Sequence, residues 1–339
     1  MSTGPCRQST TVRQLVLWGE RQLRAGGLAF GHGVSSALDE AAWLVGSTIG
    51  VVPADLDSEL GRVVTRPQCE AVRRIIALRI STRKPAAYLL NEAWFAGSRF
   101  YVDERVIVPR SLIGEFILEE FQPWISRAAV HRVLDLCTGS GCIAVAMAKT
   151  FASRAAVHRV LDLCTGSGCI AVAMAKTFAG AHVDAADISA DAIDVARINV
   201  EAHGLGSRIR LVHSDLFSAL AGSRYDIIVS NPPYVAAGEI ESLPEEYRHE
   251  PELALASGTD GLQAVSRILA QAAEHLTAAG ILVVEVGNSR ELLEGRLPGV
   301  PFTWLCTQSG DESVFLLDRE QLVHHASVLD AFCASEAGG

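Results

Sequence analysis

The chain has 339 residues, 49% of them hydrophobic, and a formal net charge of −10 at pH 7. This length favours one large domain plus a smaller one, and the composition is typical of a globular protein, not of a disordered one. An acidic protein is a poor candidate for gripping duplex DNA but suits a basic protein partner. No apolar run approaches the ~20 residues that span a bilayer, so we expect a soluble, cytoplasmic protein.

The eight cysteines do not follow the spacing of a zinc site. Four of them belong to two copies of one Cys-x4-Cys loop, which differs from the Cys-x2-Cys spacing of zinc knuckles. Because no signal peptide is recognised and the chain is not a small secreted scaffold, we expect reduced thiols and no bound metal.

Residues 1–90 are predicted to form a small helical domain that recognises the substrate. Apolar residues at helical spacing predict three helices, the second capped by Ser35 or Ser36 and the third opened by Thr65 and Pro67. The far side of the third helix carries a basic cluster, which is usually a solvated face. The cluster consists of Arg73, Arg74, Arg79 and Arg83, with Lys84 just beyond.

Residues 91–110 change to a β pattern. Aromatic and apolar residues alternate with a polar corner at Asp103-Glu104, which predicts a β-hairpin linking the helical domain to the next one. A helix is expected to start at Pro109-Arg110-Ser111 and to run to about Phe121. Residues 111–322 are then assigned to the catalytic domain and 323–339 to a frayed tail.

A perfect internal repeat lies within the catalytic domain. Residues 126–152 read SRAAVHRVLDLCTGSGCIAVAMAKTFA, and residues 153–179 repeat all 27 letters. Each copy predicts one strand, a glycine turn and a helix. Two copies are too few for a solenoid, so we interpret the repeat as an in-frame duplication or an assembly error. The surplus strand is not expected to join the middle of a filled sheet, and it would expose apolar surface.

The spacing to a downstream acid distinguishes the two copies. In nucleotide-binding βαβ units an acidic residue lies ~20 residues past the glycine turn, at the end of the second strand. Asp187 lies 19 positions after Gly168 and 46 after Gly141. We therefore favour the copy at 153–179 as the cofactor loop. The alternative, in which 126–152 enters the sheet and the second copy loops out, stays open because loop entropy rises slowly with length.

Strands and helices alternate after the repeat, which predicts a doubly wound α/β sheet. Ser189 is expected to cap a helix that ends at Gly204, and a second helix is predicted over 266–279. The last two predicted strands, 302–306 and 313–317, lack an intervening helix of usable length. The sheet is therefore expected to end with an antiparallel strand.

The glycine turn and two acids predict a nucleoside-containing cofactor. Gly166 and Gly168 let the backbone approach a ligand where a β-carbon would clash, although the third glycine of the dinucleotide fingerprint is missing. Asp187 suits a ribose diol, and Asp215 suits an adenine amino group. This set fits S-adenosylmethionine better than a pyrophosphate cofactor, because no phosphate requires neutralising. Each acid could instead be a helix cap or a turn residue.

The stretch Ser230-Asn231-Pro232-Pro233-Tyr234 ends an apolar strand at the sheet edge where α/β proteins bind ligands. Proline lacks a backbone donor, so carbonyl groups here are free to accept from a substrate. An Asn oxygen and a backbone oxygen can capture both hydrogens of a planar NH2 group, and a Tyr ring can stack on it. The motif predicts chemistry on an amide or amino nitrogen, with an ordinary strand-terminating turn as the alternative.

Taken in order, the glycine turn, the strand-end acid and the Asn-Pro-Pro-Tyr motif resemble the glutamine-modifying class I S-adenosylmethionine-dependent methyltransferases. Longer stretches are similar to the members that methylate a glutamine of the third large-subunit ribosomal protein. These stretches are 93–97, 100–111, 247–255 and 284–289. The resemblance runs from about Thr11 to Leu322. It departs from the pattern at the repeat and at Leu112, where a proline is expected.

The resemblance implies an α/β fold: a Rossmann-like doubly wound sheet with an antiparallel last strand, a helical N-terminal domain and a linking hairpin. It implies S-adenosylmethionine as cofactor and a basic ribosomal protein as partner, with no direct DNA binding and no membrane. Asn231, Pro232 and Tyr234 would hold the glutamine amide while its nitrogen attacks the sulfonium methyl. The expected cofactor contacts are Asp162, Thr165, Gly166, Gly168, Asp187, Asp215 and Asn231.

Three alternatives remain open at this point. A release-factor glutamine methyltransferase would use the same chemistry on another protein. An enzyme that methylates the adenine amino group of nucleic acid also needs to bind a planar NH2, but it predicts a basic groove, which the net charge of −10 disfavours. The third alternative is a non-catalytic remnant whose fold the duplication has disrupted.

Overall fold

A computed structural model of the chain describes residues 9–95, 98–119, 121–124, 133–136, 159–163, 182–202, 204 and 206–337. They divide into two units. The helical unit comprises the described residues up to Ala93 together with Leu243–His249. The sheet unit comprises the described residues of Trp94–Ser242 and Glu250–Gly339. The segment Leu243–His249 therefore differs from its sequence-based assignment to the catalytic domain.

Capping residues determine where the helices of the helical unit begin. Thr11 and Thr65 each form a capping box with a glutamine three residues later, and Ser36 accepts a hydrogen bond from the Asp39 N–H. The predicted helix starts at Ser36 and Thr65 are confirmed, whereas Thr11 was not predicted as a cap. The helices are α1 (Val12–Ala25), α2 (Ala37–Ile49), α3 (Leu56–Glu59), α4 (Arg66–Thr82) and α5 (Ala86–Leu90). Their apolar faces share one core, which includes Leu15, Leu23, Leu44, Val72 and Ile76.

Arg79 of α4 is completely buried, so its assignment to a solvated face is wrong. Its Nε donates to Oε1 of Glu40 at 2.7 Å, and its Nη1 lies 3.4 Å from Oε1 of Glu246. A buried guanidinium is stable only when paired carboxylates compensate its lost hydration. The need for Glu246 explains why the segment Leu243–His249 packs as part of the helical unit.

Cys69 on α4 also departs from its sequence-based expectation. Cys69 is disulfide-bonded, and its partner lies outside the described residues. The expectation that every thiol is reduced is therefore wrong at this position. Cys306 and Cys333 are free, as expected.

The described residues of the sheet unit form an eight-stranded sheet. Its first five strands in chain order are β3 (Val133–Leu136), β4 (Arg159–Leu163), β5 (His182–Asp187), β6 (Ile209–His213) and β7 (Tyr225–Ser230). The remaining strands are β8 (Leu276–Glu285), β9 (Thr303–Leu305) and β10 (Val314–Asp318). The strands lie side by side in the order β6-β5-β4-β3-β7-β8-β10-β9. A separate two-stranded sheet, β1 (Ala93–Phe95) with β2 (Ser98–Phe100), occupies the start of the predicted hairpin.

Both copies of the repeat place a strand in the centre of the large sheet. Strand β3 comes from the first copy and β4 from the second, and they pair in parallel with Leu134 beside Leu161 and Asp135 beside Asp162. Strand β4 also pairs with β5, and β3 also pairs with β7. The expectation that a surplus strand cannot join a filled sheet is therefore wrong. A copy of a central strand can form backbone hydrogen bonds with a neighbouring strand along each of its two edges. Residues 137–158, between β3 and β4, are long enough for the crossover connection that two parallel strands require.

The last strands run antiparallel, as predicted. Strand β10 pairs antiparallel with both β8 and β9 and lies between them. The described helices of this unit are α6 (Ile113–Leu118), α7 (Ala190–Ala202), α8 (Gln263–His275), α9 (Arg290–Arg296), α10 (Arg319–His324) and α11 (Ala326–Ala337). Helix α6 begins later than predicted. Helix α8 ends before the predicted residue 279, because β8 already starts at Leu276.

The expected frayed tail is instead the ordered helix α11. Leu329 and Phe332 on this helix are buried in the same core cluster as Val265 and Leu269 of α8. Burial of two large apolar side chains accounts for the order of this segment. Within the described residues, none of the helices combines the length and apolar character needed to cross a membrane.

The buried ion pairs of Arg79 with Glu40 and Glu246 predict that two neighbouring glutamates, Glu245 and Glu246, contribute very differently to stability. Glu246→Ala leaves a buried guanidinium short of one carboxylate, so we expect a loss of about 3–5 kcal/mol in unfolding free energy. The control is Glu245→Ala, because Glu245 is 61% exposed and lies 3.9 Å from Arg83, so its removal should change stability by less than about 1 kcal/mol. Urea denaturation measures both, and equal losses would contradict the buried pairing.

The same cluster sets a pH dependence. Burial alone would raise the pKa of Glu246, but backbone hydrogen bonds and the charges of Arg79 and Arg83 outweigh it and lower that pKa below 4.5. The stabilisation is therefore complete above pH 4.5 and is lost as the pH falls through the lower folded-state pKa. The difference in stability between wild type and Glu246→Ala should shrink over that acidic range.

Candidate active site

Two predicted site residues lie at the same edge of the sheet. Asp187 ends β5 and Asn231 directly follows the last residue of β7, and the four neighbouring strands β5, β4, β3 and β7 are parallel. The carboxyl ends of parallel strands meet at one edge, where α/β sheets bind ligands. The structure therefore places the acid and the carboxamide on the same rim, with β3 and β4 between their strands.

The carboxamide of Asn231 has one end bonded to the backbone and one end without a partner among the described residues. Its Nδ2 donates to the backbone oxygen of Arg110 at 3.3 Å. Its Oδ1 is buried and accepts no hydrogen bond from any described residue. A buried acceptor without a donor costs about 1–3 kcal/mol, which a ligand N–H placed there would recover.

Two glycines with positive φ, Gly261 and Gly287, pack closely against Tyr234, the last residue of the Asn-Pro-Pro-Tyr motif. A β-carbon on Gly261 would lie 2.3 Å from the backbone oxygen of Tyr234. A β-carbon on Gly287 would lie 2.6 Å from the Tyr234 ring. Their φ angles of +84° and +51° are also unfavourable for other residues. Pro232 is buried, and the Tyr234 ring packs over Gly287 in the segment that carries part of the family resemblance.

A buried carboxylate holds the chain on one side of Arg110. Both Nη atoms of Arg110 donate to Glu250 at 2.6 Å, and the Val108 N–H donates to Oε1 of Glu250 at 3.0 Å. The Glu250 side chain is fully buried. Arg110 and Glu250 lie within the stretches that carry the family resemblance, but neither was predicted to have a role, because their pairing spans 140 positions.

A second buried carboxylate holds the chain on the other side. Oε2 of Glu285, at the end of β8, accepts from Ser111 Oγ at 2.6 Å and from the Leu112 N–H at 2.9 Å. Burial raises the pKa of Glu285 in spite of these hydrogen bonds. A proline at position 112 would lack the N–H, so the departure from the family pattern adds one hydrogen bond here.

The predicted cofactor acids have protein partners of their own. Oδ1 of the buried Asp187 accepts from the Ser189 N–H at 2.8 Å, and Ser189 Oγ accepts from the Ala192 N–H at the start of α7. Oδ2 of Asp215 accepts from Arg267 at 2.7 Å, and the Asp215 side chain remains 45% exposed. Asp215 makes no side-chain cap hydrogen bond, so its helix-cap alternative is not supported. The pairing of Arg267 with Asp215 was not predicted from the sequence.

The remaining predicted cofactor residues can be placed only in part. Asp162 lies in β4 beside Asp135 of β3. Thr165, Gly166 and Gly168 lie outside the described residues. Two histidines near the motifs have structural partners, because His213 contacts the Ile188 carbonyl oxygen and His249 contacts that of Thr82. No group of three or more metal-ligating side chains occurs in the part of the chain that the structure describes.

The contact between Gly287 and Tyr234 predicts the effect of Gly287→Ala. The added methyl group must displace the ring, and a positive φ at a non-glycine residue costs about 1–2 kcal/mol. We expect this loss in urea denaturation, together with a fall in methyl transfer to a glutamine substrate. Gly238→Ala is the control, because a β-carbon there meets no atom within 4 Å. Wild-type turnover in Gly287→Ala would contradict a role for the ring position.

Comparisons with known proteins find one methyltransferase family model and full-length relatives that share one description. The family model described as Methyltransferase small domain matches residues 150–245, a range that contains the second repeat copy. A Ribosomal protein uL3 glutamine methyltransferase of Neisseria meningitidis serogroup B (strain ATCC BAA-335 / MC58) is 45% identical over 318 residues, which are 94% of this chain and 96% of the relative.

Two further relatives with the same description cover similar lengths. The one from Burkholderia pseudomallei (strain K96243) is 43% identical over 330 residues, which are 95% of this chain and 98% of the relative. The one from Francisella tularensis subsp. tularensis (strain SCHU S4 / Schu 4) is 41% identical over 325 residues, covering 95% and 93%. With this identity over nearly the whole length, and with the class I methyltransferase fold in place, the chain belongs to the family of ribosomal protein uL3 glutamine methyltransferases.

Proposed function

We propose that this protein transfers a methyl group from S-adenosylmethionine to the side-chain amide nitrogen of a glutamine in ribosomal protein uL3. One observation carries the proposal: Oδ1 of Asn231 is a buried acceptor without a donor among the described residues, at the ligand-binding edge of the sheet. The names of the relatives support uL3 as the substrate. A net charge of −10 suits a basic protein partner.

The proposed chemistry requires activation of an unreactive nitrogen. An amide nitrogen is a poor nucleophile because its lone pair is delocalised into the carbonyl group. Oδ1 of Asn231 would accept one amide hydrogen and the backbone oxygen of Pro232 the other, which increases the electron density on nitrogen and fixes its orientation. The Tyr234 ring would pack against the carboxamide plane and exclude water.

Two carboxylates at or just after the ends of neighbouring strands, β5 and β6, support the binding of a nucleoside at this rim. When bound, S-adenosylmethionine supplies an electrophilic methyl group on a positively charged sulfur. We propose Asp187 for the ribose diol and Asp215 for the adenine amino group. The proposed glycine-turn contacts are Asp162, Thr165, Gly166 and Gly168.

The proton balance of the transfer needs no strong base. The glutamine nitrogen forms a bond to the methyl carbon while the carbon–sulfur bond breaks, which leaves neutral S-adenosylhomocysteine. The positive charge moves to the nitrogen, and the surplus proton then leaves to solvent. The two acceptors therefore act by orientation and polarisation, without taking the proton permanently.

Asn231→Ala tests the amide acceptor. We expect methyl transfer to uL3 to fall by at least about 100-fold, since a misplaced reacting group costs that much, while the affinity for S-adenosylhomocysteine changes little. The measurement is incorporation of tritiated methyl groups into purified uL3, with mass spectrometry for one added CH2 and calorimetry for the affinity. Methylation of a release factor but not of uL3 would contradict the proposed substrate. Undiminished transfer by Asn231→Ala would contradict the acceptor.

The duplicated strand predicts a second effect on the same site. Strand β5 lies three strand spacings from β7, about 14 Å, whereas a single copy would leave two spacings, about 10 Å. Deletion of residues 153–179 gives the same 312-residue protein as deletion of 126–152, because the copies are identical. The shorter protein should bring Asp187 and Asn231 closer together, so we expect it to bind S-adenosylhomocysteine more tightly. Calorimetry on both proteins measures this, and equal affinities would contradict the effect of strand spacing.

A further inference from the structure

We propose that Arg110 and Glu250 are positioning residues for Asn231: their ion pair fixes the backbone oxygen of Arg110, and that oxygen orients the Asn231 carboxamide with Oδ1 toward the substrate. The inference rests on the proposed function and adds to it the residues that make the amide acceptor specific. Neither side chain needs to touch the substrate for this role.

The Asn231 carboxamide could be placed in either of two orientations. The NH2 and oxygen ends of an Asn side chain have nearly the same shape, so the partner of one end decides which end faces a ligand. Here Nδ2 donates to the Arg110 backbone oxygen. Rotation of the group by half a turn would bring Oδ1 against that oxygen, so two acceptors would face each other. The same rotation would turn donors toward the two N–H groups of a substrate amide.

Glu250 restrains the side chain of Arg110 through two hydrogen bonds. Both of its Nη atoms bond to Glu250 at 2.6 Å, a two-pronged geometry that is stronger and more directional than a single ionic contact. Oε1 of Glu250 also accepts from the Val108 N–H at 3.0 Å. One fully buried carboxylate thus restrains the guanidinium of Arg110 and the backbone two residues before it.

Glu285 restrains the chain that directly follows Arg110. Glu285 binds the Ser111 hydroxyl and the Leu112 N–H, so the chain is held immediately after Arg110 as well. Strand β8, which ends at Glu285, pairs in parallel with β7, which leads to Asn231. The chain is therefore hydrogen-bonded to a buried carboxylate both before and after Arg110. These contacts restrain the Arg110 backbone oxygen relative to strand β7, which leads to Asn231.

A similar ion pair on the same loop provides the control. Arg105 binds Asp103 through Nε and Nη2, and its side chain is more exposed than that of Arg110. Arg105 donates to Asp103 and not to Glu250. If the Arg110–Glu250 pair served stability alone, weakening it would lower the melting temperature without lowering kcat at a temperature where the protein stays folded.

The test is steady-state methylation of uL3 by full-length wild type, Arg110→Lys, Glu250→Gln, the double variant and Arg105→Lys. Lysine cannot form the two-pronged contact, and glutamine loses the charge while keeping an acceptor for the Val108 N–H. We expect each single change to lower kcat by about 10- to 100-fold, because small misplacements of a reacting group have effects of this size. KM for uL3 and the Kd of S-adenosylhomocysteine should stay close to wild type. Arg105→Lys should keep the wild-type kcat.

The double variant and thermal melting complete the test. Two residues that act through one contact are not additive, so the double variant should be no slower than the slower single variant. A wild-type kcat in Arg110→Lys, or losses that multiply in the double variant, would overturn the proposal. If Arg110→Lys melts below the assay temperature, Glu250→Gln carries the test alone. Absence of transfer by the wild type would instead contradict the proposed function, so the two failures are distinguishable.

Discussion

The site depends on one buried acceptor, Oδ1 of Asn231, to which no group in the described part of the chain donates. Buried polar atoms are normally paired, so this oxygen is retained at an energetic cost that a bound N–H would recover. The opposite end of the same carboxamide is paired with the Arg110 backbone oxygen. Behind Arg110, two buried carboxylates, Glu250 and Glu285, hold the chain in place. In the proposed function the neutral Asn231 acceptor binds a neutral substrate amide, and we propose that the Arg110–Glu250 ion pair, further from the substrate, sets the orientation of that acceptor.

The repeat places a geometric constraint on the same rim. A single copy of the strand would lie directly between the strand that ends in Asp187 and the strand that leads to Asn231. Here β4 and β3 both occupy that interval and pair in register with each other. The sheet accommodates the additional strand because each inner parallel strand forms backbone hydrogen bonds along both edges: β3 pairs with β4 and β7, and β4 pairs with β3 and β5. The sheet contains both copies of the strand, and the additional copy adds one strand spacing between β5 and β7, whose ends carry the two proposed site residues Asp187 and Asn231.

Local signals were sufficient for much of the fold. The capped helix starts at Ser36 and Thr65, the alternation of strands and helices, and the antiparallel ending all follow from short-range patterns. Long-range partners were not predictable in this way. Arg79 looked like a surface residue because its partner Glu246 lies 167 positions away.

The site shows the same division between local and distant information. The strand-end positions of Asp187 and Asn231 followed from sequence, whereas the roles of Glu250 and Glu285 depend on contacts that only the fold creates. The most direct measurement is ¹⁵N-edited NMR of uL3 labelled at glutamine side chains, with enzyme and S-adenosylhomocysteine added. Both side-chain amide protons of one glutamine should shift downfield with the wild type, and one of them should return toward its free position with Asn231→Ala. Identical spectra for the two proteins would contradict an amide bound by Asn231.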